Sequence, residues 1–264
     1  MQIVRCVRCG LVYVNPRLNA RTLHRHYNSG QSSRVQYYLD VESADRRTFA
    51  EILDAAARLL PHKGRLLDIG PNIGTCLEMG RRAGWETQGI EINEEAARYC
   101  REERGLDVTS GQLDEGTFPR SHFDIVLMGD VLEHLRDPMA TVRIIQGILK
   151  PGGIVMISTP NIASLAGRIL QIKPEEHLYY FSPATMAILL DKARLEVVQI
   201  APLDRYHNVT AMSHSTTLGG LFGRLRPVFR LAHWMLGDVV VRLPLRENLM
   251  AVARKPAQVL AEVA

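Results

Sequence analysis

The chain has 264 residues and a formal net charge of +4, with 46% hydrophobic and 23% charged residues. These values are typical of a globular protein with one sizeable core, and the small basic excess forms no lysine- or arginine-rich block of the kind that binds nucleic acid. The N-terminus lacks the pattern of a signal peptide, and no apolar run is long enough to cross a bilayer. A cytoplasmic protein without a nucleic-acid partner is therefore expected.

Residues 1–16 contain a C-x-x-C-G motif, in which Cys6 and Cys9 have the spacing of half a zinc ribbon. A closed tetrahedral site needs two more ligands, and no second motif of this kind follows. We expect a short β-rich knuckle here. The other two cysteines, Cys76 and Cys100, fall on predicted helices, where they are interpreted as small buried residues.

Residues 17–63 are predicted to be helical, with the clearest amphipathic pattern over residues 51–60. This region would fold over a ligand site as a lid. It contains Tyr27, Tyr37 and Tyr38, and tyrosines at such positions usually pack with the hydroxyl in water. A contact with a ligand is considered for Tyr38 alone.

Strands and helices alternate after this region, which indicates an α/β sheet. An apolar strand over residues 65–69 leads into a turn at residues 70–74 that opens a helix, and the strand over residues 87–92 carries Glu91 at its end. A glycine turn lets backbone amides approach a ligand, and an acid at the second strand tip accepts hydrogen bonds from ribose hydroxyls. The G-x-G-x-x-G spacing of dinucleotide folds is absent, so a nucleoside site is predicted.

The alternation continues through the rest of the chain. A reverse turn is predicted at residues 150–153, and the tail from Lys255 is expected to be frayed. Further strands are predicted over residues 107–110, 123–128, 154–159, 195–200 and 248–252, and helices over residues 74–83, 138–149 and 182–193. Asn93 is predicted to cap another helix that follows the strand over residues 87–92.

Residues 213–246 form an unusual segment. Apolar residues recur at three- and four-residue steps from Leu218 to Val240, and five arginines accompany a single acid, Asp238. Pro227 would interrupt a single helix. A basic amphipathic segment can lie on an anionic membrane surface or cover a lipid-like substrate; the alternatives are a subunit contact, as in a homodimer, or a cover for the substrate pocket.

Five segments, taken in order, resemble the class I S-adenosylmethionine-dependent methyltransferases over roughly residues 60–200. The middle glycine of the family's first motif is Asn72 here, and asparagine tolerates left-handed backbone better than most residues. The matching segments are residues 66–74 with Glu91, residues 123–138, residues 149–153, residues 158–161 and residues 177–182.

The resemblance implies a Rossmann-like sheet with helices on both faces over residues 64–254, an antiparallel last strand, and S-adenosylmethionine as the methyl donor. A structural alternative for Asp68 is an acid that bonds the amides of its own turn, and for Glu91 a solvated acid at a helix entry. By position, Asp68, Gly70, Asn72 and Gly74 would border the methionine moiety and ribose, Glu91 would bind the ribose hydroxyls, Ile92, Gln112 and Leu113 would contact the adenine, and Gly129 and Asp130 would lie beside the sulfonium.

Asp130, Glu133 and His134 follow the fourth strand. In quinone-pathway O-methyltransferases an acid-x-x-Glu-His sequence at this place can hold a divalent cation; the alternative is that Glu133 and His134 pin the loop, and no metal is assigned. His134 and His177 are the candidate catalytic bases, because the pKa of histidine lies near neutrality. The aromatic residues 179–181 would line an acceptor pocket, although His177 is equally compatible with simple packing.

The segment from Arg5 to Arg17 is similar to the second half of a zinc knuckle found ahead of some bacterial methyltransferases. No upstream half is present, so either the start is truncated or the metal has been lost.

The predicted function is methyl transfer from S-adenosylmethionine to a small-molecule acceptor, lipid-like or glycan-linked, at oxygen. Two rival functions remain: an NAD-linked oxidoreductase, which the missing glycine pattern disfavours, and a non-catalytic relative that binds a nucleoside.

Overall fold

A computed structural model describes residues 1–17, 34–208 and 239–257. A 3-10 turn covers Leu132–His134. Within the described ranges the helices are α1 (Arg34–Leu59), α2 (Thr75–Arg82), α3 (Glu94–Glu102), α4 (Pro138–Ile148), α5 (Leu165–Leu170) and α6 (Pro183–Lys192); the strands are β1 (Gln2–Arg5), β2 (Val12–Asn15), β3 (Arg65–Ile69), β4 (Glu86–Glu91), β5 (Val108–Ser110), β6 (Phe123–Gly129), β7 (Leu149–Pro160), β8 (Tyr179–Tyr180), β9 (Glu196–Leu203), β10 (Tyr206–Asn208), β11 (Val240–Arg242) and β12 (Asn248–Arg254).

The central sheet has seven strands in the order β5-β4-β3-β6-β7-β12-β9. Its first five strands are parallel, while β12 runs antiparallel to both β7 and β9. The predicted α/β sheet and its antiparallel last strand are therefore confirmed. Because β3 lies between β4 and β6, the carboxyl ends of these three strands meet at one edge of the sheet.

Helices cover both faces of the sheet, because side chains of a strand point alternately to either side. Leu67 and Ile69 pack with α4 and α6 in one buried cluster, and Leu66 packs with α1, α2 and α3 in the other. Cys76 and Cys100 are buried in this second cluster, as predicted.

The N-terminal knuckle is β-rich, as predicted, and its strands β1 and β2 form a separate three-stranded sheet with β8, which the sequence did not predict. Tyr13 pairs with Tyr179 across β2 and β8. The turn between β1 and β2 is closed by hydrogen bonds from the Gly10 amide to the Cys6 carbonyl and from the Cys6 amide to the Leu11 carbonyl. The knuckle is thus joined to the main domain through residues that lie far along the chain.

Three expectations differ from the structure. The predicted turn at residues 150–153 lies inside β7, which begins at Leu149 because that residue pairs with Phe123. Lys255 is not frayed, since its amide donates to the Gly153 carbonyl and its carbonyl accepts from the Gly152 amide. Val240 belongs to a strand rather than to a helical stripe.

The remaining members of the amphipathic segment up to residue 238, together with Tyr27 and most of the tail, lie outside the described residues. Within the described ranges, no helix is both long and apolar enough to cross a membrane.

Candidate active site

A cavity of about 490 Å³ lies where the carboxyl ends of β3, β4 and β6 meet. Helix α1 covers it and contributes Asp45, Thr48 and Phe49 to its wall. Tyr38 also lines the cavity, and Tyr37 packs edge-on against Tyr38 with ring centroids 5.3 Å apart. The part of the predicted helical cover that is described therefore faces the predicted ligand site.

The turn after β3 has the left-handed backbone that its sequence predicts. Gly70 has φ 75° and Asn72 has φ 52°, and both line the cavity. A Cβ atom on Gly70 would lie 2.6 Å from the Val131 side chain, so the loop after β6 can approach only because this residue is glycine. Gly74 also has a positive φ, but it does not line the cavity; a Cβ there would lie 2.4 Å from Leu106. Its geometry indicates packing against the chain after α3.

Glu91 is 4% exposed at the tip of β4, so the interpretation of a solvated acid is wrong. Its two carboxylate oxygens accept hydrogen bonds from the amides of Asn72 at 3.0 Å and Asn93 at 2.8 Å. Glu91 thereby fixes the glycine turn at the edge of the cavity, which it also lines. Ile92 lines the cavity beside it.

Asp68 is buried below the turn and is 6% exposed. Among the described residues its carboxylate accepts no hydrogen bond, so the geometry does not favour the alternative in which it bonds the amides of its own turn. Burial raises the pKa of Asp68 to about 7, and the nearby charge of Glu91 contributes to the shift. A buried carboxyl group that faces a cavity without a partner is suited to a ligand that brings a donor or a positive charge.

The other predicted cofactor residues also surround the cavity. Gln112 and Leu113 follow β5, and Gly129 and Asp130 follow one another at the end of β6. Asp130 makes an ion pair with Arg205 at 2.6 Å and accepts a hydrogen bond from the Ser158 hydroxyl at 3.2 Å.

Arg205 and Asp45 are charged residues of the cavity that the sequence analysis did not single out. Arg205 lies between β9 and β10, where no pattern marks it. Asp45 shares one face of α1 with Tyr38 and Ile52, at intervals of seven residues, and a carboxylate within such a stripe was the available signal. Burial raises the pKa of Asp45 to about 6.

The two candidate bases are placed differently. His134 lines the cavity, and its Nδ1 lies 2.9 Å from the Glu176 carbonyl. His177 is 5% exposed, does not line the cavity, and has its Nδ1 2.9 Å from the Gln171 carbonyl. Burial and the neighbouring His134 lower the pKa of His177 to about 4. Of the two candidate bases, the geometry therefore places only His134 on the cavity wall.

A second feature joins the two histidines to Glu133. Carboxylate and imidazole atoms of Glu133, His134 and His177 lie within 4.8 Å of one another, which makes them a candidate metal-binding group. Asp130 was considered as a member of this group, but its carboxylate pairs with Arg205 instead. Both histidines direct Nδ1 toward a backbone carbonyl, an arrangement in which Nε2 would be the atom that binds a metal.

The aromatic residues 179–181 do not line the cavity, so their predicted contact with an acceptor is not supported. Tyr180 and Phe181 are each 1% exposed and belong to the core. The hydroxyl of Tyr179 donates to the Arg136 carbonyl at 3.1 Å, which ties β8 to the loop after β6.

The arrangement of these residues fits an adenosine-based cation. A glycine turn approaches the site closely, Glu91 lies buried at the adjoining strand tip, and the buried Asp68 carboxyl, which accepts no hydrogen bond within the described ranges, also lines the cavity. Together with the strand order, these features define a class I S-adenosylmethionine-dependent methyltransferase.

Comparison with known proteins agrees with this class. The family model of a methyltransferase domain matches residues 41–200, and the chain belongs to this family. This match confirms the predicted family, with S-adenosylmethionine as its cofactor.

Curated relatives of this chain are named as O-methyltransferases, in agreement with the methyltransferase resemblance of the sequence. The chain is 37% identical to the ubiquinone biosynthesis O-methyltransferase of Caulobacter vibrioides over 50% of this chain and 55% of that protein. It is 27% identical to the protein of the same name in Xanthomonas axonopodis pv. citri, over 65% of this chain and 80% of that protein. The chain thus spans about half the length of the first relative and four-fifths of the second.

Solved structures confirm the fold. An S-adenosylmethionine-dependent methyltransferase from Archaeoglobus fulgidus has a TM-score of 0.55 at 20% identity, over 90% of this chain and all of that one. A putative methyltransferase from Haloferax volcanii, solved with its Trm112 activator, has a TM-score of 0.58 at 16% identity, over 89% of this chain and 97% of that one.

Proposed function

We propose that this protein transfers a methyl group from S-adenosylmethionine to a hydroxyl oxygen of a small-molecule acceptor. The observation that carries the proposal is the continuity of the cavity: it is lined by Glu91 and the glycine turn, and also by the ionisable residues Asp130 and His134. A donor nucleoside and the group that activates an acceptor would thus share one cavity.

Methyl transfer from a sulfonium is an in-line displacement, and the donor supplies its own leaving group. The main tasks of the protein are therefore alignment and exclusion of water. Glu91 and the turn would hold the ribose, while Phe49 and Ile52 of α1 cover the site with apolar surface. A base is needed only where the acceptor hydroxyl is weakly acidic.

His134 is positioned to act as that base. With Nδ1 held by the Glu176 carbonyl, the neutral ring carries its proton on Nδ1 and presents Nε2 as an acceptor. The Glu133 carboxyl group is buried and lies 3.9 Å from Nε2. A proton taken from an acceptor hydroxyl at Nε2 would leave an imidazolium beside this carboxyl group.

A second role for the same cluster is favoured by the closeness of Glu133, His134 and His177. With a divalent cation bound between them, the cation would lower the pKa of the acceptor hydroxyl, and His134 would serve as a ligand instead of a base. Activity that is lost on chelation and restored by one divalent metal supports this role; activity that is unchanged by chelation supports His134 as the base.

The acceptor class is proposed from the relatives. They are named ubiquinone biosynthesis O-methyltransferases, so a hydroxylated aromatic precursor of a quinone is the first class to test. Five further properties remain proposals: a lipid-like or glycan-linked acceptor, a helical lid at residues 17–63, a homodimer, a cytoplasmic location and membrane contact through residues 213–246.

The test is incorporation of an isotopically labelled methyl group, followed by mass spectrometry and fragmentation of the product. We expect labelled methyl ethers from catechols, and no product from O-methylated catechols that lack a free hydroxyl. Methylation at carbon or nitrogen would contradict the oxygen assignment. Binding of S-adenosylhomocysteine without turnover across a broad acceptor panel would favour the non-catalytic alternative, and binding of NAD in its place would favour the oxidoreductase.

A further inference from the structure

The cavity is lined by two charged residues, Arg205 and Asp45, that have no role in the proposed reaction. Arg205 pairs with Asp130 at 2.6 Å, and Asp45 lines the same cavity within electrostatic range of both. Two of these side chains are acidic and one is basic. They come from α1, from the loop after β6 and from the link between β9 and β10, so only the folded chain brings them together.

Arg205 is held as a rigid donor. Its Nη2 donates to Asp130, and its Nε donates to the side-chain oxygen of Asn248 at 2.9 Å when the amide is oriented to satisfy both of its polar atoms. The Arg205 side chain is 26% exposed and lines the cavity, and among the described residues no acceptor occupies its Nη1. A guanidinium fixed in this way is preorganised to bind a carboxylate.

The charges of the cluster are the reverse of those on the amino-acid end of S-adenosylmethionine. That end carries two positive groups, the α-ammonium and the sulfonium, and one negative group, the α-carboxylate. The cluster offers two carboxylates and one guanidinium. Val131, the neighbour of Asp130, packs on the face of Gly70, so the cluster lies next to the turn that borders the predicted nucleoside.

We propose that Arg205 binds the α-carboxylate of S-adenosylmethionine and that Asp45 receives its α-ammonium. This inference deepens the proposed function and depends on S-adenosylmethionine being the donor. Asp130 then acts as a positioning residue, because it orients the guanidinium while its own charge faces the cationic end of the donor. An acceptor with its own carboxylate is the competing ligand for Arg205.

The first test uses the unaltered protein and three ligands in calorimetry: S-adenosylhomocysteine, its decarboxylated analogue and its deaminated analogue. We expect each analogue to bind about tenfold or more weakly than S-adenosylhomocysteine, as befits the loss of one charge-assisted hydrogen-bonded pair. Equal affinity for S-adenosylhomocysteine and the decarboxylated analogue would overturn the assignment of Arg205. Equal affinity for the deaminated analogue would overturn that of Asp45.

The second test uses variants. Arg205→Met should weaken S-adenosylhomocysteine about tenfold or more and leave the decarboxylated analogue nearly unchanged, so that the ratio of the two dissociation constants approaches one. Arg205→Lys keeps a positive charge beside Asp130 and serves as the second variant if Arg205→Met does not fold. We expect Arg205→Lys to reduce the ratio of the two dissociation constants severalfold. Asp45→Asn should bring the ratio of the dissociation constants for the deaminated analogue and S-adenosylhomocysteine closer to one.

Arg136→Met is the matched control, because Arg136 is a second arginine of the cavity wall. Arg136→Met should preserve the ratios of dissociation constants for both analogues relative to S-adenosylhomocysteine. If Arg136→Met reduces the ratio for the decarboxylated analogue while Arg205→Met preserves it, the assignment of Arg205 is wrong. A protein that does not bind S-adenosylhomocysteine at all contradicts the proposed function, whereas one that binds it and transfers methyl groups, yet ignores the missing carboxylate, contradicts only this inference.

Discussion

Replacement of Glu91 by glutamine tests the centre of the site, because this carboxylate has two tasks. It accepts hydrogen bonds from the amides of Asn72 and Asn93, at 3.0 and 2.8 Å, and we propose that it also binds the ribose hydroxyls. Glutamine retains one oxygen acceptor and replaces the other by an NH₂ donor. One of the two buried amides therefore loses its acceptor.

The magnitude follows from that count. One buried amide without an acceptor costs about 1–3 kcal/mol in the free energy of unfolding. For a protein of this size that corresponds to a fall in Tm of about 2–12 °C. Loss of charge-assisted hydrogen bonds to the ribose should in addition weaken S-adenosylhomocysteine by about 10- to 100-fold.

The assays are differential scanning calorimetry for Tm and isothermal titration calorimetry for affinity, with Glu95→Gln as the control. Glu95 is an exposed acid in the first turn of α3, so its replacement removes a charge near the site without touching the turn. If Glu91→Gln folds and binds S-adenosylhomocysteine as tightly as the unaltered protein, the proposed grip on the ribose is wrong. An unchanged Tm of Glu91→Gln would contradict the stabilisation of the glycine turn by the Glu91 carboxylate.

Three further outcomes are expected. Asp45 must be ionised to bind an ammonium, and burial raises its pKa to about 6, with Arg205, Asp130 and Glu42 as the neighbouring charges. The calorimetric affinity for S-adenosylhomocysteine should therefore fall as the pH drops through about 6. If the affinity of Asp45→Asn falls equally over the same pH range, Asp45 is not the cause. Because burial raises the pKa of Asp68 from 3.8 to about 7, its contribution to stability is present at low pH and is lost as pH rises toward 7. Asp68→Asn should thus gain up to about 4 kcal/mol in urea unfolding at pH 8 and nothing near pH 4; a gain of equal size at both pH values would contradict the sign. His134→Gln should lower kcat by about 10²–10⁴ with little change in S-adenosylhomocysteine binding, whereas His177→Gln should mainly lower Tm; the reverse pattern would exchange their roles.

The order of elements could be predicted because it depends on local patterns. The cap of α3 is an example: Asn93 was predicted from its residue type and position, and its side chain accepts from the Ala96 amide at 2.9 Å. The left-handed backbone at Asn72 was likewise anticipated from residue type and spacing. Such features need no knowledge of distant contacts.

Features that depend on long-range pairing were not predictable. Leu149 extends β7 because Phe123 lies opposite it, although a Pro-Gly-Gly sequence follows and locally favours a turn. Tyr179 joins a strand of the N-terminal knuckle, which draws residues 179–181 away from the cavity.

The same reason explains the missed site residues. Arg205 reaches Asp130 across a sequence separation that no spacing rule covers. Asp130 consequently pairs with an arginine, and His177 takes the place that the sequence analysis gave to Asp130 beside Glu133 and His134. Chemistry on β3 and β4 could be predicted, because one strand-turn-helix unit carries it; chemistry assembled from several loops could not.

A crystal structure with S-adenosylhomocysteine bound would be the most direct measurement of where the donor lies. We expect one nucleoside in the cavity, with its ribose hydroxyls within hydrogen-bond distance of Glu91 and its α-carboxylate on Arg205. A nucleoside bound elsewhere, or one turned so that its adenine meets Arg205, would contradict this expectation.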